Sequence, residues 1–228
     1  MTTTAALLQS AEAKALQLFT TAVERQLIAP HQTEKELNNK MYELAWELFG
    51  IKKYWHKRIV RSGPNTLFPY KENPPDLMIG ADDILFFDFG PVFEDWEADV
   101  GKTFVIGNDP VKHRLAADTE AVWYKAQAFY RQHASTLTGA QLYAHVAALA
   151  NEYGWTFGNE HCGHLIGQFP HEIIEGEKRV NYLHPDNHIL LSAPGQQGSK
   201  WYWILEIHLV DTERQIGGFF EQLLNGDE

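Results

Sequence analysis

Apolar residues recur at steps of three and four in four stretches of the chain, and two pairs of apolar runs are broken by short polar turns. These two patterns predict most of the elements. Leu8, Ala11, Ala15, Leu18 and Ala22 form the first stripe, a helix ending near Pro30. A second helix starts at once: Thr33 and Glu36 make a capping box, Leu37, Met41, Leu44 and Leu48 carry the stripe, and Gly50 stops it. Trp55–Ser62 reads as a strand, 63–75 as an irregular connection with four prolines, and 84–107 as a hairpin. The same order then recurs. Asp109 and Pro110 open a helix carrying Leu115, Val122, Ala126 and Phe129, and Thr138 with Gln141 caps another carrying Leu142, Val146, Leu149 and Tyr153. After them come the segment 161–171, a loop from His184 to Ser199 and a second hairpin over 203–224. Two helices and then a hairpin, twice, predict an α+β fold in which helices cover one face of a curved antiparallel sheet. The halves divide near residue 108 within one domain, 1–228.

Both hairpins carry acids among their apolar residues. Asp88 and Asp99 lie eleven positions apart about a turn at Glu94 and Asp95. Paired strands would set them opposite each other with Cβ atoms roughly 4.5–5.5 Å apart. Glu206 and Glu221 repeat the arrangement, fifteen positions apart about the turn 211–214. Like charges so placed repel unless cations lie between them. Four carboxylates bring about four negative charges, which two divalent ions offset, whereas one ion leaves roughly two unpaired. His164 sits in the apolar run HLIG and adds an imidazole, which suits Mn, Co, Fe or Zn. His161 and Cys162 lack a second pair to complete a zinc site, so packing is their expected role. The same bland reading makes Trp201 and Trp203 strand-face packing, and Glu94, Asp95 and Glu97 an exposed turn.

Charge and composition narrow the partners. With 228 residues, 44% of them apolar, the chain can bury a substantial core. A formal charge of −11 argues against nucleic acid and anionic membranes, both of which need basic patches. Small substrates are favoured. A single cysteine allows no intrachain disulfide, and neither a leader nor an eighteen-residue apolar run is present, so the expected location is cytoplasmic. A homodimer is compatible with the acidic, aromatic-rich composition.

The motifs SGPNTLFPY (62–70), DFGPVFEDWEADVGKT (88–103), GHLIGQFPHE (163–172), LEIHL and GGFFE together carry a resemblance. From about Thr33 to Leu224 the chain resembles the pita-bread metalloenzymes, the family of methionine aminopeptidase, aminopeptidase P, prolidase and creatinase. The resemblance implies that Asp88 binds a second metal, that Asp99 and Glu221 bridge, and that His164 and Glu206 complete the first. It implies two divalent ions, manganese foremost, that supply hydroxide and polarise the scissile carbonyl. Glu206 would shuttle the proton to the leaving nitrogen, and His171 would contact substrate and steady the oxyanion. The implied activity is that of an aminopeptidase or Xaa-Pro dipeptidase acting on a short peptide or small amide.

Three positions depart from the family pattern. Tyr70 stands where a substrate-contacting histidine is usual; it can donate a hydrogen bond but carries no positive charge near pH 7. Ile207 replaces the proline after the fourth ligand. Phe219 replaces an arginine two positions before the last glutamate, which removes a guanidinium from the substrate's anionic end. The large N-terminal domain of creatinase and aminopeptidase P, with any subunit contact it makes, is expected to be absent. A non-peptidase C–N hydrolase of the creatinase kind is the alternative, and an inactive binding module the third reading; a dead site would typically have lost ligands, and here all five remain.

Overall fold

A computed structural model describes residues 2–171, 178–195 and 198–226. Glu172, the last residue of the GHLIGQFPHE motif, and Gln196 and Gln197 of the 184–199 loop lie outside the described residues. Helix α1 (Thr4–Glu24) buries all five residues of the first stripe together with Phe19. It stops short of Pro30, where Arg25 caps it. Helix α2 (Glu34–Phe49) has the full capping box of Thr33 and Glu36, and Gly50 ends it at φ 64°, a left-handed conformation that glycine adopts at low cost. Asp109 accepts from the backbone of Val111 at the start of α3 (Pro110–His133), and Thr138 and Gln141 box the start of α4 (Gly139–Glu152).

Among the described residues, nine strands complete the fold. They are β1 (Ile59–Ser62), β2 (Asp83–Phe89), β3 (Val92–Phe93), β4 (Trp96–Glu97), β5 (Val100–Ile106), β6 (Thr156–Phe157), β7 (Gly163–Ile166), β8 (Tyr202–Asp211) and β9 (Ile216–Leu223). The main antiparallel sheet runs β1-β2-β5-β9-β8-β6, with β7 also on β8, while β3 and β4 form a small hairpin inside the first acidic hairpin. The predicted strand 55–62 begins only at Ile59. Trp55 is held off the ladder, its backbone N–H donating to Gly90 and its indole to Ala98.

Alternation along the strands separates core from site. Leu85, Phe87 and Phe89 pack with Phe19, Leu37 and Met41 of α1 and α2. Trp203, Leu205, Ile207 and Leu209 pack with Val122, Trp123, Leu142 and Val146 of α3 and α4. Each such fully buried side chain contributes about 1.5–3 kcal/mol. The intervening residues Asp88, Glu206 and His208 therefore point to the opposite face. Both halves meet where Gly101 of β5 pairs with Glu221 of β9. A Cβ on Gly101 would lie 2.4 Å from the Phe219 ring and 2.9 Å from the Glu221 Cβ, so this approach requires a glycine. Thr103 stitches the same junction, its hydroxyl donating to the Phe219 carbonyl at 2.8 Å and accepting from the Phe219 N–H at 2.6 Å.

The SGPN motif is structural. The buried Glu34 carboxylate accepts from the Ser62 backbone at 2.6 Å and from Asn65 Nδ2 at 3.0 Å, and His208 Nε2 donates to the Thr66 carbonyl at 2.8 Å. The turn that precedes Tyr70 is thereby pinned to the sheet.

Candidate metal centre

Strand register brings the four acids to one place on one face of the sheet. Glu206 and Glu221 are direct partners across β8 and β9. Asp88 is not opposite Asp99: its partner is Gly101, so Asp99 lies two residues away on the diagonal. The position of the turn sets this: Phe93 and Trp96 pair about Glu94 and Asp95, and the same register carried down the hairpin brings Gly101, not Asp99, opposite Asp88. Asp88, Asp99, Glu206 and Glu221 are all buried.

Two imidazoles flank Asp99 symmetrically. His164 Nε2 lies 3.1 Å from Asp99 Oδ2 and 3.7 Å from Glu221 Oε1. His56, which sequence reasoning passed over, places Nε2 3.0 Å from Asp99 Oδ1 and 3.5 Å from Asp88 Oδ1, with 4% of its side chain exposed. His56, Asp88 and Asp99 form one group with donor atoms within 4.8 Å of one another, and Asp99, His164 and Glu221 form another. Asp99 belongs to both. Glu206 adjoins them, its Oε1 accepting from Asn159 Nδ2 at 3.0 Å and lying 2.6 Å from His161 Nδ1.

Burial and crowding perturb these groups strongly. Burial pushes the Asp88 carboxyl up to about 7, with the charges of Asp99 and Glu206 adding to the rise and His56 opposing it. Burial, then the Asp99 charge, raise Glu221 well above the carboxylate range. For Asp99 the burial effect is outweighed by His56 and His164, and for Glu206 by His161, so both are lowered. Burial would lower His56 too, but Asp99 and Asp88 carry it up to about 9. Glu221 Oε2 is buried without a hydrogen-bond partner, an acceptor aimed at a place for a cation. Four carboxylates, imidazole nitrogens and this unpartnered oxygen suit a pair of divalent ions.

The remaining expectations resolve one by one. Glu94 and Asp95 are exposed, but Glu97 is 1% exposed and accepts from His171 twice, from Nδ1 at 2.8 Å and from the backbone N–H at 3.1 Å. The exposed-turn reading fails for Glu97 because it shares with Asp99 one side of an extended segment; that spacing of two was the available signal. Cys162 and Trp203 are core, whereas His161 is drawn to Glu206 rather than packed away. Tyr70 is half exposed, its ring 5.8 Å from that of His56. Phe219, expected at the substrate's anionic end, is 1% exposed and packs on Phe86, ring centroids 5.1 Å apart. It presents no surface to a substrate. His56 carried no sequence signal, since its place depends on how β1 and the loop before it dock on β2.

Comparison with known proteins follows the same lines. The sequence profile of metallopeptidase family M24 matches residues 6–196. No curated protein sequence matches the chain. A prolidase from Thermococcus sibiricus is 21% identical with a TM-score of 0.73, over 94% of this chain and 53% of that one. An X-Pro aminopeptidase from Thermotoga maritima is 21% identical with a TM-score of 0.70, over 95% and 59%. The methionine aminopeptidase of Rickettsia prowazekii is 13% identical with a TM-score of 0.68, over 95% and 90%. The chain thus spans little more than half the length of the two proline-directed enzymes, and at these identities the likeness is one of fold. With the profile match covering most of the residues, and with the helix-backed sheet and its acidic face described above, the chain belongs to metallopeptidase family M24 and has the pita-bread fold.

Proposed function

We propose that this protein is a dinuclear metallohydrolase that cleaves the amide bond of a short peptide, of the aminopeptidase or Xaa-Pro dipeptidase type. The observation that carries the reading is the pair of donor groups that share Asp99. His164 and Glu206 would hold one ion and Asp88 the other, with Asp99 and Glu221 common to both. Ions bound there supply hydroxide near neutral pH and polarise the scissile carbonyl. The chain's own residues do the rest. Glu206, fixed by Asn159, accepts a proton at its carboxylate and returns it to the leaving nitrogen. His171 gives its Nδ1–H to Glu97, so it meets substrate through Nε2, which in the imidazolium donates to the carbonyl oxygen as charge develops there.

Family membership and the prolidase and X-Pro aminopeptidase folds support the peptidase type. A cytoplasmic setting, in keeping with the single buried cysteine and the absence of any described helix long and apolar enough to cross a membrane, belongs to the same reading, as does a homodimer. One observation favours a second reading, a C–N hydrolase of a small metabolite. Phe219 offers no guanidinium, and the nearby Arg61 donates to the Phe68 and Glu72 carbonyls, so a peptide's carboxylate lacks its expected partner. Assaying Xaa-Pro dipeptides, short peptides and small amides with Mn or Co, with Asp99→Ala as control, tests both. Metal-dependent turnover of peptides that Asp99→Ala abolishes is the expected result; turnover of non-peptide amides alone selects the second reading, and none at all refutes both.

A further inference from the structure

We propose that His56 is a metal ligand, giving the Asp88 side of the centre an imidazole to match His164 on the other. The inference rests on the dinuclear reading above and adds a donor to it.

Three observations carry it. The first is the tautomer. His56 Nδ1 lies 2.7 Å from the Lys57 carbonyl, and a carbonyl can only accept, so Nδ1 carries the proton. In the neutral ring the Nε2 lone pair then faces Asp99 Oδ1 and Asp88 Oδ1, acceptor against acceptors, a contact that becomes favourable when either a proton or a metal cation lies between them. His164 is built identically: Nδ1 is tied to the carbonyl of the next residue, Leu165, at 2.8 Å, and Nε2 faces the other oxygen of Asp99. A carbonyl on the far nitrogen is the usual second partner of a metal-bound imidazole.

The second is spacing. Two ligand atoms about 2.0–2.2 Å from one ion stand about 2.8–3.6 Å apart at octahedral to tetrahedral angles. His56 Nε2 lies 3.0 Å from Asp99 and 3.5 Å from Asp88, within that range. The third is a prepared space. A Cβ at Gly90, two residues after Asp88, would lie 2.2 Å from the His56 ring and 2.4 Å from the Trp55 indole, so the glycine keeps the imidazole's seat open. Trp55 closes it from the side, with ring centroids 4.4 Å from His56 and 5.3 Å from His164.

A nitrogen donor on both sides favours Co, Fe or Zn over Mn, since imidazole suits the former and carboxylate the latter. The test is calorimetric and spectroscopic rather than kinetic. Metal-stripped protein is titrated with Co, Zn and Mn, and the cobalt d–d spectrum is recorded for wild type, His56→Ala, His56→Gln and the surface variant His113→Ala. Wild type and His113→Ala are expected to take up two cobalt ions per chain. Both His56 variants should keep one and bind the second about 10–100-fold more weakly, with a changed spectrum and a smaller loss for Mn. In wild type the ring nitrogen resonances of His56 should shift with one equivalent of Zn, a readout independent of whether the variants fold. Two ions bound by His56→Gln as tightly as by wild type, or His56 resonances that ignore Zn, overturn the proposal and leave the dinuclear reading standing. A wild type that binds fewer than two ions overturns both.

Discussion

Glu97 follows two exposed acids in the chain, Glu94 and Asp95, yet it is buried, and both its oxygens are taken by His171. The residue holds an imidazole in place. Glu97→Ala is expected to leave metal content unchanged, to lower kcat about 10–100-fold and to alter the pH profile of kcat, because His171 loses the acceptor that fixes its ring. Glu97→Gln, which can still accept from Nδ1, should recover part of the rate. Wild-type kcat and profile in Glu97→Ala would show that His171 needs no such support. At this scale the acids and His164 were legible, because charge inside an apolar run is anomalous wherever the run folds. His56 was not, and Glu97 only through its spacing of two from Asp99, because their partners in space are thirty and more positions away in sequence.

The helices and their caps follow from local chemistry: a threonine that accepts from the third residue of its helix does so whatever lies beyond. The strands follow only in part. Trp55 and His56 look like the start of β1, yet both leave the ladder to line the centre, and a turn centred between Glu94 and Asp95 sets Asp99 two residues from the position opposite Asp88. Contacts between elements decide such details, and Gly101 is the sharpest of them. Gly101→Ala is expected to cost about 1–3 kcal/mol, since the added methyl overlaps the Phe219 ring at the junction of the two hairpins. Gly80→Ala, where the nearest atom is 3.5 Å away, should cost much less. Thermal melts of the two variants check this; equal losses would mean that β5 and β9 yield at their crossing.

At the scale of the whole molecule the sheet forces two histidines and four carboxylates into one buried site. Stability should therefore depend on pH when ions are stripped away by chelation. His56, raised from 6.5 to about 9, contributes stability that is complete below pH 6.5 and lost as pH rises through 9. Asp88, raised from 3.8 to about 7, acts in the same direction, since its folded form keeps a proton that the unfolded chain gives up. Asp99 and Glu206 are lowered, so their contributions change only below the usual carboxylate range. The Tm of chelated protein is expected to fall from pH 6 to pH 9, and added Co or Zn should reverse the fall by taking the place of the protons. A flat profile would contradict this account of the buried charges. The sequence by itself determined the helices, the two acidic hairpins, five candidate ligands and the expectation of cations, because periodicity, caps and misplaced charge are properties of a residue and its near neighbours. Only the tertiary structure decided that Asp99 stands between two imidazoles, that Glu97 serves His171 and that Phe219 is core, because strand register and the docking of loops are set by contacts between segments that no local pattern encodes.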